Sequence, residues 1–238
     1  MIRLACLFLI LPLAVHAQDA AGLDQAVDAV ANGVGRNAIT LMAVMTALSL
    51  APGIAIMVTC FPFIVTVLSI LRQSIGLQQS PPNMLIVSLA MFLTWFVMNP
   101  VLTEAWTVAG APLQQGSISV EEAFQRGIVP FRAFMEARAS PEMIATLAEI
   151  APEPQAAPDR LSVLIPAFML SEIQRAFEIG FLVSLPFLVI DLVVSAVLMS
   201  MGMMMVPPAV VALPFKLAFF VVVDGWGLIA SALVRSYQ

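Results

Sequence analysis

What limits the fold of this chain most is how its apolar residues are grouped. Four stretches, Ile39 to Leu71, Asn83 to Leu102, Leu161 to Ser200 and Ala209 to Val234, carry very few charges. A helix needs about 20 apolar residues to cross a bilayer. Lipid offers no partner to backbone N–H and C=O groups, so such stretches must satisfy those groups internally, as helices do. Ile39–Leu71 is too long for one straight span, and Pro52-Gly53 and Pro62 interrupt it. Proline removes a backbone donor and kinks a helix. In lipid such breaks survive only where protein or water serves the freed groups. The pattern predicts an all-α integral membrane protein of bent apolar helical hairpins. Composition agrees: 61% of the 238 residues are hydrophobic and 11% are charged, against about 25% charged in soluble domains. Mean hydropathy is +1.00.

The first apolar run is different. Met1-Ile2-Arg3 is weakly basic, Leu4 to Val15 is too short to span, and Val15-His16-Ala17 places small residues at −3 and −1. That order predicts a signal peptide, residues 1–17, cut after Ala17. The only His, His16, and Cys6 leave with it. The mature chain then has no His and one Cys, Cys60, in an apolar setting. An internal disulfide, a His/Cys metal site and His-based acid–base chemistry are all excluded on that reading. No cofactor and no metal are expected. A formal charge of −5 with no basic patch argues against nucleic acid as a partner. No glycine-rich phosphate loop is present either.

After a polar leader over 18–38, the chain divides into a first apolar hairpin (39–103), a polar helical insert (104–160) and a second apolar hairpin (161–238). The insert carries Glu121, Glu122, Arg126, Arg132, Glu136, Arg138, Glu142 and Glu149. Ser119-Val120-Glu121-Glu122 reads as a capping box opening a helix. Ala151 to Pro158 reads as a linker. If the signal is cleaved, alternation puts the insert in the periplasm.

Two sets of residues in the second hairpin invite a functional reading. One is charge inside apolar sequence: Glu172, Arg175 and Glu178 at i, i+3 and i+6, then Asp191, Lys216 and Asp224. A charge at a bilayer centre costs about 2.5–3.5 kcal/mol on insertion scales, so these groups need partners. They could fix an assembly or relay protons and ions. The expected pair is Lys216 with Glu172, between neighbouring copies. The other set is the loop over 199–208, with Met201, Met203, Met204 and Met205 ahead of Pro207-Pro208. Methionine is unbranched and loose, so it either fills an irregular core gap or lines a deformable passage.

Several segments resemble the FliP family of flagellar export proteins. They are Pro81-Pro82-Asn83, Thr94 to Pro100, Leu164-Ile165-Pro166-Ala167-Phe168, Ser171-Glu172-Ile173, Phe187 to Val193, and Met203 through Lys216-Leu217 to Val223-Asp224-Gly225-Trp226. The resemblance runs from Ile39 onward and is most specific in the final third. Cys60-Phe61-Pro62-Phe63-Ile64 departs from it, standing where the family usually carries a basic residue. The resemblance implies several things at once. Copies of the chain, a pentamer in the family, assemble with FliQ and FliR and other export-apparatus membrane proteins into a helical ring. The ring sits in the bacterial inner membrane at the flagellar basal body, in contact with lipid. Unfolded flagellar subunits pass through it. In such a ring the methionine loops, apolar and loose, are expected to point inward and form a compliant gasket. The chain is then not an enzyme. The rival from the residues alone is a proton- or ion-coupled transporter of small solutes using Glu172, Glu178, Asp191 and Asp224.

Overall fold

The computed structural model describes residues 38, 41–42, 45–46, 49–50, 52–76, 82–152, 160–203 and 205–237. The expected signal peptide, nearly all of the polar leader and Met204 lie outside them. The chain forms two compact units, Met1–Pro52 and Gly53–Gln238. In the first, Thr46 Oγ1 donates to the Met42 carbonyl and Ser49 Oγ to that of Thr46, both at 2.8 Å. The second unit holds the long helices. Its described residues are helical with no strand, the class the apolar grouping predicts.

Helix α1 spans Phe61–Ile75. Pro62 sits in its first turn, where a missing N–H costs nothing, so the predicted break is a helix start. Gly76 ends the helix at φ +90°, its N–H donating to the Gln73 carbonyl. At 15 residues α1 is about 22 Å long, short of a hydrocarbon core of about 30 Å. Helix α2 spans Asn83–Ala105, continues through a π-turn at Trp106–Gly110, and ends in α3, Ala111–Gln114. The apolar 39–103 hairpin and the 104–160 insert therefore meet within one 32-residue helix. The helix carries on through Pro100, Gly110 and Pro112, and the first left-handed residue after it is Gly116, at φ +69°. Arg72 Nη1 donates to Asn83 Oδ1, joining the ends of α1 and α2.

The insert holds α4 (Val120–Arg138) and α5 (Pro141–Glu149). Ser119 Oγ accepts from the Glu122 N–H at 3.2 Å and caps α4. Helix α6, Leu161–Ser200, has 40 residues and is about 60 Å long, twice the hydrocarbon thickness. It is the axis of the unit, and α1 lies along it. The last apolar stretch is not one helix. It breaks into α7 (Pro208–Val222) and α8 (Gly225–Arg235), bent by 61°. Asp224 makes the turn at φ +50°, and a Cβ on Gly225 would lie 2.1 Å from the Phe220 ring. A left-handed residue cannot continue a helix, so the bend is local chemistry that hydropathy does not record.

The main core joins Phe63, Ile64, Val67 and Leu68 of α1 to Ala90 and Met98 of α2, Ala176 of α6 and Leu233 of α8. Helix α1 is thus the buried centre. Among the described residues α6, and α2 with its continuation to Gln114, are the two helices long and apolar enough to cross a membrane, while the bent pair α7–α8 passes only when taken together. The close approach of α1 to α6 requires glycine at 180: a Cβ there would lie 2.4 Å from Ile70 Cδ1 and 3.2 Å from Ile70 Cβ. Overpacking a core typically costs about 1–3 kcal/mol. Gly180→Ala is expected to lower the melting temperature in detergent, and Ile70→Ala in the same chain to recover most of the loss. A double variant no more stable than Gly180→Ala alone would place the defect elsewhere.

Candidate functional site: two charged ties and a methionine loop

The first tie is built around Glu172, fully buried on α6. Its Oε1 accepts from Arg138 Nε at 3.1 Å and from Arg175 Nη1 at 3.0 Å. Its Oε2 accepts from the Tyr237 hydroxyl. Burial, and next the Glu172 charge, push the Tyr237 phenol well above its ordinary range, so it stays protonated and donates. Ser171, one residue earlier, accepts from the Ser140 N–H at 2.9 Å. A buried carboxylate is tolerated when paired and hydrogen-bonded, and each oxygen here has a donor.

The second tie is Lys216 of α7. Its Nζ lies 2.6 Å from Asp191 Oδ2 on α6 and donates to the Ser74 carbonyl at the end of α1 at 3.0 Å. Lys216 is 6% exposed, while the Asp191 side chain is 40% exposed. One ammonium thus fastens three helices within the apolar layer.

Within the chain Lys216 and Glu172 do not meet; the pair expected between neighbouring copies concerns more than one chain. Glu172 is taken by Arg138, Arg175 and Tyr237, and Lys216 by Asp191 and Ser74. Sequence reasoning missed Arg138 and Tyr237, which reach Glu172 across 34 and 65 residues. The only signals were a basic residue closing a helix and the chain's single tyrosine at its end. In the single chain Glu178 and Asp224, expected among the buried charges, are exposed. At about 100° per residue, Glu178 stands about 120° around α6 from Glu172. It accepts from Gln174 Nε2 at 3.2 Å. Asp224 sits at the bend after α7.

The methionine loop has a defined backbone. Helix α6 ends at Ser200, the Met203 N–H donates to the Leu198 carbonyl at 3.0 Å, and Gly202 N–H donates to Met199 at 3.1 Å. Gly202 stands at φ +75°. This is a Schellman closure, which requires a left-handed residue and explains the glycine. Proline residues 207 and 208 then start α7. Met201, Met203 and Met205 are 67%, 42% and 97% exposed. They do not fill a gap between α6 and α7. Beneath them opens an apolar groove of about 540 Å³, lined in part by Val193, Val197, Met201, Met203, Val211 and Phe215. No cluster of His, Cys, Asp or Glu able to hold a metal occurs among the described residues.

Long apolar helices with charges fastened inside the fold, and a loop of apolar side chains outside it, define a helical membrane protein that presents apolar surface for contact. The family model for the FliP family matches residues 44–233, and the chain belongs to that family. It is similar to the flagellar biosynthetic protein FliP of Caulobacter vibrioides, 48% identical over 96% of this chain and 86% of that one. It is similar also to those of Agrobacterium fabrum, 49% identical over 84% of each chain, and Bacillus subtilis, 44% identical over 84% of this chain and 91% of that one.

Proposed function

We propose that this chain is a pore-forming subunit of the flagellar type III protein export gate, through which unfolded flagellar subunits cross the bacterial inner membrane at the basal body. In this reading several copies, a pentamer by the family resemblance, assemble with FliQ and FliR. The loop carrying Met201, Met203, Met204 and Met205 points into the shared passage. The observation that carries the reading is the contrast between the two kinds of site. The buried charges Glu172 and Lys216 are matched inside the chain, whereas the described methionines of the loop stand outside it.

A gate for unfolded chains has two demands. It must stop ions when idle and close around side chains of many sizes when active. Thioethers are apolar enough to dewet a constriction and loose enough to repack. The groove under the loop leaves Met201 and Met203 room to move, while the Schellman closure and the proline pair confine that movement to the loop. The transporter reading is weaker, because a relay needs acids free to change partners. Glu172 and Asp191 are each held by a cation at 3.1 Å or less.

Purification from the membrane in mild detergent tests the proposal. The expected result is a homo-oligomer carrying two small membrane proteins, identified by mass. A single copy that moves solute by itself in vesicles would contradict it.

A further inference from the structure

We infer that the C-terminal residues Ser236 and Tyr237 are a clasp that holds the polar insert at a fixed angle to α6. The inference rests on contacts within the chain and is independent of the export-gate reading. The helices α4 and α5 are joined by two extended residues, Ala139 (φ −68°, ψ 137°) and Ser140 (φ −67°, ψ 130°). Two extended residues between helices make a natural hinge, because nothing in their own backbone fixes the angle. What fixes it comes from distant parts of the chain.

Arg138, the last residue of α4, donates from Nη1 to the Ser236 carbonyl at 2.7 Å and from Nε to Glu172 at 3.1 Å. Its guanidinium lies 4.1 Å from the centroid of the Tyr237 ring. That ring stacks on Phe134 of α4 at 6.0 Å and meets Phe63 of α1 edge-on at 5.5 Å. The hydroxyl of the same side chain donates to Glu172. From the α6 side, Arg175 Nη2 donates to the Arg138 carbonyl at 3.5 Å, and Ser171 receives the Ser140 N–H.

One tyrosine therefore touches the insert, α1 and α6 together, and one arginine bridges the insert, α6 and the C-terminus. Without Tyr237 the Glu172 carboxylate loses a donor and Arg138 loses the ring it lies against. The two side chains are positioning residues, and Tyr237 is the one on which the others converge.

Hydrogen exchange of the full chain in detergent tests the clasp. Tyr237→Ala is expected to speed exchange of residues 139–149 by about tenfold or more, the size of losing one hydrogen bond to a charged group. Residues 63–71 of α1 and 86–98 of α2 keep their protection. Tyr237→Phe keeps the ring and loses only the hydroxyl, so it gives a smaller rise confined to the same residues. It carries the test if Tyr237→Ala does not accumulate. Glu172→Gln, close to isosteric, weakens the hold on Arg138 and raises exchange over the same segment. Unchanged protection of 139–149 in Tyr237→Phe and Glu172→Gln overturns the inference. So does a uniform rise across residues 53–237, which would make Tyr237 ordinary core.

Discussion

Replacing Lys216 with Glu is expected to remove nearly all folded protein from the membrane, and Asp191→Lys in the same chain to bring a measurable part of it back. The single change puts two carboxylates where Nζ now lies 2.6 Å from Asp191 Oδ2, and it deprives the Ser74 carbonyl of its donor. Removing one partner of a buried pair typically costs about 3–5 kcal/mol. Asp191 is partly exposed, which puts simple loss of the pair, as in Lys216→Met, at the lower end. Charge reversal adds repulsion to that loss. A small domain has only about 5–15 kcal/mol of stability in total, so the reversal consumes much of it.

Exchanging Lys216 with Glu172 instead is expected to make matters worse. A lysine at 172 would face Arg138 and Arg175, both now within 3.1 Å of the carboxylate. Yield of folded protein, read by size-exclusion chromatography of detergent extracts, separates these outcomes. Rescue by Glu172→Lys and none by Asp191→Lys would show that the assembled protein uses a pair between copies.

The second large effect is expected in the loop. Changing Met203, Met204 and Met205 together to Ala removes little buried surface among the described residues, because Met203 and Met205 are 42% and 97% exposed. Stability should hardly change, since surface substitutions usually stay within about 0.5 kcal/mol. The effect belongs to the assembly. If the loops converge on a shared passage, the change strips long apolar side chains from the constriction and leaves it wide and wettable.

Part of this is visible in the sequence. Charge depletion in long blocks shows a helical membrane protein, because lipid leaves few other options. The Met loop is visible because four methionines beside a glycine and a proline pair break the composition around them. A need for partners at Lys216 is visible too, since an apolar helix cannot carry a lone ammonium cheaply. The partner is not. Asp191 lies 25 residues away, and the choice between it and Glu172 depends on how α6 and α7 rotate against each other. The tie at Glu172 is hidden for the same reason, as Arg138 and Tyr237 arrive from different elements. Hydropathy also reads Ala209 to Val234 as one helix. A left-handed Asp224 bends it, and α1, only 15 residues long, is the buried centre of the unit.

Ion conductance of assembled complexes in a planar bilayer measures directly whether the methionine loop is a seal. Complexes with native methionines should hold the resting membrane closed. Complexes carrying Ala at 203, 204 and 205, matched for assembly and amount, should conduct in the absence of any exported protein. Fully assembled alanine complexes as tight as the native ones would contradict the seal and return the methionines to a packing role between subunits.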